Sequence, residues 1–224
     1  MCSIPLCGVD WRPTRPPVDL DLWPAPAAGT GASAPPRCFT TIATWENRGK
    51  NIDFAGDTYL WSKHVNFLRF LDLPRRRPRT CFEMAMLPPD DSVRDQVEAA
   101  GWHLRDPRPV SADMGHYRDF IAASRGEFTV AKDIYVRPNS GWFSDRAVCY
   151  LAAGRPVVTM RTGFTSFCPV GQGLFDYATH DEALAAIDAI AADYPRHCRA
   201  ARDIAGDCFA ADRTIADMLG QAGL

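Results

Sequence analysis

Residues 135–158 read YVRPNSGWFSDRAVCYLAAGRPVV, a stretch with the signals of a loop, a helix and a strand in succession. Asn139, Ser140 and Gly141 are turn residues, and Ser144 and Asp145 are good helix N-caps. Residues 146–153 carry helix-forming alanine and leucine, and Gly154 stands where a helix end takes a left-handed residue. Pro156 blocks continuation, so Val157-Val158 starts a short buried strand. A glycine turn that opens onto a helix start presents unpaired backbone N–H groups and the positive end of the helix dipole, a ready anion site. The same pattern also occurs wherever a parallel sheet links a loop, a helix and a strand, so the residues alone leave both readings open.

Outward from this unit the chain alternates strands with helices. Apolar, β-branched segments predict strands at 38–44, 79–86, 102–104, 128–131 and 174–178. Helical spacing marks 62–71, a segment capped at Asp91 or Ser92 and closed by Gly101, and then 113–124, 181–193, 194–209 and 212–219. This alternation predicts an α/β, Rossmann-like, doubly wound parallel sheet of about six strands, with ligands at the carboxyl ends of the strands. Residues 38–224 form that single domain. Residues 1–37 read as a linker or extended arm, held out of helix by Pro13, Pro16, Pro17, Pro24, Pro26, Pro35 and Pro36.

Composition narrows the chemistry. A net charge of −2 gives no general attraction to nucleic acid. The basic run Pro74-Arg75-Arg76-Arg77-Pro78-Arg79 reads as a solvated loop. No segment is apolar over the length needed to span a membrane, and the N-terminus shows no signal-peptide core, so a cytoplasmic location is expected. The eight cysteines, at 2, 7, 38, 81, 149, 168, 198 and 208, lack metal-ligand spacing and are expected as reduced thiols, with Cys81 and Cys149 acting as small hydrophobes. The five histidines show no metal spacing either, and His180 reads as a helix-start residue. Gly171-Gln172-Gly173 precedes a strand and reads as a turn, not a dinucleotide fingerprint. Neither a G-x-S-x-G motif nor a P-loop occurs.

The string Ala152-Ala153-Gly154-Arg155-Pro156-Val157-Val158, followed by Thr162-Gly163-Phe164, resembles the donor half of a GT-B glycosyltransferase of the group 1 type. The segments EFTVAKD, SGWFSDR and Trp61-Ser62-Lys63-His64 are similar to a bacterial subgroup of that family. The resemblance implies a domain that binds a nucleoside diphosphate sugar, with no cofactor and no metal, and an acceptor domain or separate chain as partner. A Trp-Arg-Pro-Thr-Arg-Pro-Pro segment like residues 11–17 joins the two halves in the family. The sequence departs from the retaining members at two places. Cys149 and Gly141 stand where those enzymes carry donor-binding glutamates, and the nearest acid is Asp145.

The residues that converge on strand ends fit a diphosphate. Lys132 and Arg137 follow the fourth predicted strand, Gly141, Trp142, Ser144 and Asp145 form the loop and helix start, and Arg146 sits in the first helical turn. A cation at a helix start opposes the dipole unless an anion is present, so Arg146 either meets a phosphate or pairs at the surface with Asp145 or Asp133. Trp142 and Phe143 either bracket a nucleotide or pack the loop. Trp45 and Lys63 come from the first strand–helix connection, which in GT-B enzymes approaches the donor phosphates. Thr162 and Gly163 follow the Val157-Val158 strand. Two functions stay open: a donor domain of a transferase, or a stand-alone domain that binds nucleotide or a partner chain without transferring sugar. On the first reading the chain alone is expected to bind donor better than it transfers, because acceptor and base come from the other half. A flavodoxin-like or receiver-like domain fits less well, since no acidic cluster follows the first strand.

Overall fold

The structure is a computed structural model that describes residue 8 and residues 12–23 and 38–224. Its strands are β1 (Cys38–Ile42), β2 (Ile52–Phe54), β3 (Asp57–Tyr59), β4 (Cys81–Ala85), β5 (His103–Arg105), β6 (Gly126–Thr129), β7 (Val157–Met160) and β8 (Leu174–Tyr177). The helices are α1 (His64–Arg69), α2 (Leu73–Arg76), α3 (Asp91–Ala99), α4 (Pro107–Val110), α5 (Met114–Ala122), α6 (Asp133–Val136), α7 (Asp145–Ala152), α8 (His180–Ala192), α9 (Tyr194–Phe209) and α10 (Ala211–Ala222). Six strands form one sheet in the order β5-β4-β1-β6-β7-β8, and every pair in it is parallel. The chain direction of strand addition reverses between β1 and β6. That pair marks the topological switch point, where a doubly wound sheet opens its ligand crevice.

The central strands are buried almost throughout, as expected for a parallel sheet covered on both faces. Period-two alternation divides their side chains between two cores. Phe39, Phe82, Phe128 and Val158 join Phe67, Phe70, Trp102 and Ile187 on the side of α1, α3 and α8. Val157 and Leu174 join Tyr150, Leu151, Ala201, Ala205 and Phe209 on the side of α7 and α9. The two ends of α7 follow the local sequence: Ser144 is its N-cap, and Gly154, at φ 65°, closes it. The Gly154 and Arg155 N–H groups donate back to the carbonyls of Leu151 and Tyr150, which satisfies the last turn.

Four features depart from the expectations drawn from the sequence. The thiols are not all reduced: Cys38 and Cys81 are joined by a disulfide, with their Cα atoms 4.3 Å apart. The cause is register, since parallel pairing sets Cys38 directly opposite Cys81 across β1 and β4. Closing a loop of this length contributes about 4 kcal/mol in the chain-entropy account. Cys149, Cys168, Cys198 and Cys208 are free. The basic run expected as a solvated loop contains α2, where Pro74 takes a first-turn position and is buried. Its arginines are engaged, Arg75 with the Ala99 carbonyl, Arg76 with Asp72 and Arg77 with Asp188. A hairpin, β2–β3, turns at Ala55-Gly56 within the first strand–helix connection. One-turn helices, α4 and α6, also punctuate the connections.

Residues 12–23 lie outside the sheet but are packed on its helical layer. Val18 bridges Ala210, its N–H donating to the Phe209 carbonyl, while Ala211 donates to the Val18 carbonyl. Asp19 caps a short 3-10 turn, Leu20–Leu22, and Trp23 is buried against the α7–α9 core. Arg202 of α9 binds the carbonyls of Leu20, Trp23 and Ala152 at once. The remainder of the expected arm falls outside the described residues. No helix among the described residues is long and apolar enough to cross a membrane.

Candidate functional site

Several of the charged side chains expected at the site lie beyond the carboxyl ends of β1 and β6. Beyond β1 the chain passes Trp45, makes the hairpin, and returns to Lys63, the N-cap residue of α1. Ser62 fixes this return, its hydroxyl accepting from the Asn47 N–H and donating to the Asn47 carbonyl. His64 N–H donates to the Trp45 carbonyl, and Asn66 reaches across to the Ala131 carbonyl at 2.8 Å, tying α1 to the end of β6. Lys63 is thereby drawn inward and is only 8% exposed.

Beyond β6, Lys132 precedes α6 and lies 4.1 Å from the centre of the Trp61 ring. Tyr135 of α6 stacks on Trp142 with ring centres 4.6 Å apart. Arg137 is turned to the hairpin, where it pairs with Asp57 at 3.0 Å, donates to the Thr58 carbonyl and covers the Tyr59 ring. The loop between α6 and α7 uses left-handed residues at Asn139 and Gly141. Gly141 N–H donates to the Thr162 carbonyl at 2.6 Å, and the Thr162 hydroxyl donates to the Trp142 carbonyl. Gly163 sits at φ 93°, where an added Cβ would come 2.7 Å from Asn139 Oδ1, so only glycine lets the two loops close.

Arg146 pairs with neither Asp145 nor Asp133 at the surface, one of the two readings its sequence position left open. Its Nε donates to Glu127 Oε1 at 2.5 Å, Nη1 to the Ile42 carbonyl at 2.6 Å and Nη2 to Thr129 Oγ1 at 2.9 Å. The anion that a helix-start cation calls for is therefore supplied by β6. Burial works to lower the Arg146 pKa, but the Glu127 carboxylate together with Tyr117 and Tyr150 turns the net shift upward. Glu127 itself is fully buried, and its second oxygen, Oε2, has no hydrogen-bond partner among the described residues.

Three cations and one carboxylate thus share the mouth between β1 and β6. Lys63 has Arg146, Glu127 and Lys132 as its charged neighbours, and no acceptor among the described residues lies within hydrogen-bond distance of its amine. Burial first, then repulsion from Arg146, holds its pKa well below the ordinary value, with Glu127 offsetting part of the shift. Lys132 is lowered too, by burial and by Lys50. The first bonded N–H at the start of α7 is that of Val148, to the Ser144 carbonyl, so the N–H groups of residues 145–147 have no partner within the helix.

The structure brings Lys63, Lys132 and Arg146 together, and joins Gly141, Trp142, Thr162 and Gly163 in one pair of loops beside them. Ser144 is buried at the helix start without a side-chain capping bond, and Asp145 is exposed. Trp45 is buried against Phe67, with ring centres 6.0 Å apart, and packs the core. Arg137 belongs to the hairpin. The motifs do not single out Glu127, although a lone acid inside the apolar segment EFTVA is the kind of residue that demands a buried partner. Among the described residues no group of three histidine, cysteine or acidic side chains could hold a metal ion.

No protein-family model and no curated protein matches the sequence. Solved structures do match in fold. Sucrose-phosphate synthase from Thermosynechococcus elongatus superposes with a TM-score of 0.61 at 15% identity, over 94% of this chain and 51% of that one. A mutant of S. aureus TarM, in complex with fondaparinux, alpha-GlcNAc-glycerol and UDP, gives 0.60 at 11% identity, over 96% and 40%. The C-terminal domain of a glycosyl transferase group 1 family protein, LpcC from Francisella tularensis, gives 0.51 at 12% identity, over 84% and 95%. The chain has the fold of a GT-B donor domain. It spans 51% of the synthase chain and 40% of the TarM chain, against 95% of the isolated LpcC domain. Within this GT-B donor fold, Cys149 is a half-buried thiol whose pKa burial and the nearby Glu127 push up to about 12. It carries no negative charge at neutral pH.

Proposed function

We propose that this chain is the nucleotide-sugar-binding half of a glycosyltransferase, and that the diphosphate of the donor lies between Lys63, Lys132 and the start of α7. One observation carries the reading: Lys63 is nine-tenths buried at the switch point and faces no acceptor among the described residues, in a mouth where three cations meet one carboxylate. Phosphate oxygens supply both the acceptors and the missing negative charge. Arg146 acts from behind, since Glu127 already holds it, and keeps the local potential positive. Gly141, Trp142, Thr162 and Gly163 shape the wall next to the phosphates. In transfer, the bond from the anomeric carbon to the β-phosphate oxygen breaks and its electron pair stays on that oxygen. Fixed positive charge at this point stabilises the departing nucleoside diphosphate. Acceptor and any general base come from outside these residues.

The test is calorimetric titration with nucleoside diphosphates, with UDP as first probe because UDP is the nucleotide in the TarM complex. UDP is expected to bind, and Lys63→Met to weaken it by about ten- to a hundredfold, the worth of roughly 1.5–3 kcal/mol for one charged hydrogen bond. Unchanged affinity in a folded Lys63→Met protein places the phosphates elsewhere. A second reading, a binding domain without transfer, is favoured by Cys149 and Gly141 at the two glutamate positions. Incubation with UDP-sugars and an assay for released UDP, with and without an acceptor-half chain, separates the two.

A further inference from the structure

The charge arrangement around Lys63 has a consequence for how the site fills. Lys63 reaches the mouth from the N-cap of α1, and the groups that face it come from three other elements: Glu127 from β6, Arg146 from α7 and Lys132 from the start of α6. His64, next in the chain, has a buried Nδ1 with no partner. Glu127 is the only carboxylate among these neighbours, and Arg146 already takes its Oε1. An ammonium at Lys63, in a residue only 8% exposed, therefore lies among two other cations with no hydrogen-bond acceptor among the described residues. Taking such a charge out of water uncompensated is costly, and the amine escapes the cost by releasing its proton. A diphosphate reverses each of these terms, because it brings oxygens to accept the N–H groups and charge to outweigh Arg146 and Lys132.

We propose that a nucleoside diphosphate enters this site together with a proton, which Lys63 takes up. The proposal rests on the donor-site reading above and adds to it that affinity is pH-dependent through the protein. The proton goes from solvent to the ε-amine, no bond in the ligand changes, and the bound pair is an ammonium against phosphate oxygens. The depressed pKa of the free amine, caused first by burial and then by Arg146, agrees with this geometry. Affinity is then flat below the free-site pKa and falls as pH rises above it, by up to about tenfold per pH unit for one linked proton.

Titration calorimetry with UDP in HEPES and in Tris, at several values between about pH 7.5 and 9, counts the protons, because buffers with different ionisation enthalpies return different heats. In this range the terminal phosphate, with a second pKa near 6, is already ionised, so uptake belongs to the protein. We expect net uptake of up to about one proton per UDP, lost in Lys63→Arg and in Lys63→Met and retained in Lys132→Arg. Lys63→Arg stays charged throughout, so it should bind UDP with equal heats in the two buffers. UDP binding to the wild-type protein with identical heats in both buffers overturns the proposal and leaves the donor site standing. Uptake that survives in a folded Lys63→Arg protein also overturns it. Absence of UDP binding at every pH removes the donor reading and this proposal with it.

Discussion

The two faces of the sheet are drawn from the same strands and built to opposite ends. On the side of α1, α3 and α8, Phe39, Phe82, Phe128 and Tyr177 pack ring to ring, with Phe82 and Phe128 edge-on at 5.9 Å and Phe128 and Tyr177 stacked at 5.3 Å. On the side of α7, the neighbouring positions of β1 and β6 are Thr40, Glu127 and Thr129. Thr40 bonds the hydroxyls of Ser124 and Tyr150, each at 2.6 Å, and Glu127 and Thr129 hold Arg146. A step of one residue along a strand thus separates a dry aromatic core from a hydrogen-bonded polar layer. The difference teaches that one face of the sheet is held by aromatic packing, while the other holds a buried charge pair inside a hydrogen-bonded layer.

Truncation on each face should break the comparison differently. Phe128→Ala empties the middle of the aromatic face and should cost about 3–5 kcal/mol in denaturant unfolding, with no single second change restoring it. Glu127→Gln strands the Arg146 charge and should cost a comparable ~3–5 kcal/mol. Its signature is rescue: adding Arg146→Met should return much of the loss, since a buried pair is replaceable by well-packed apolar side chains. If the double variant is no more stable than Glu127→Gln, the polar layer is not held by this pair.

A smaller effect concerns Lys63. Its folded pKa is depressed from 10.5, so the unfolded chain binds more protons in the interval between the folded value and 10.5. Stability should therefore rise with pH across that interval and level off above it, and should be lowest where the buried amine is forced to protonate. Relative to the wild type, Lys63→Met is expected to be more stable at neutral pH, with the advantage fading as pH approaches 10.5. Parallel urea titrations read this directly, and an advantage that does not change with pH counts against burial as the cause. The smallest effect is at Lys132, whose amine lies over Trp61. Lys132→Met should cost about 0.5–1 kcal/mol and change the tryptophan emission, and that change should vanish in a Trp61→Phe background.

The sheet, the long helices and the C-terminal end of α7 were legible because local chemistry decides them: Gly154 as a left-handed stop, buried runs such as Val157-Val158. Ser144 stands at the N-cap position of α7 but makes no side-chain capping bond there. The hairpin was not. Its strands are three residues each, and its turn is Ala55-Gly56, with a left-handed alanine in place of the usual asparagine or aspartate. Lys63 and Lys132 could be named from their place after strands, but not the absence of an acceptor beside Lys63. The pairings Arg146–Glu127 and Cys38–Cys81 were beyond sequence reading because both are tertiary: parallel register sets Cys38 opposite Cys81, and the packing of α7 on the sheet sets Arg146 against Glu127.

Arg202 ties the carbonyls of Leu20 and Trp23 to that of Ala152, at the last residue of α7, while Arg146 ties the first turn of the same helix to Ile42 and Glu127. A rod pinned at both ends transmits tension but does not slide. Axial travel of α7 is therefore opposed at both of its ends. Tension applied through residues 12–23 would load this helix along its axis, from the Arg202 clamp to the Arg146 anchor on Ile42 and Glu127.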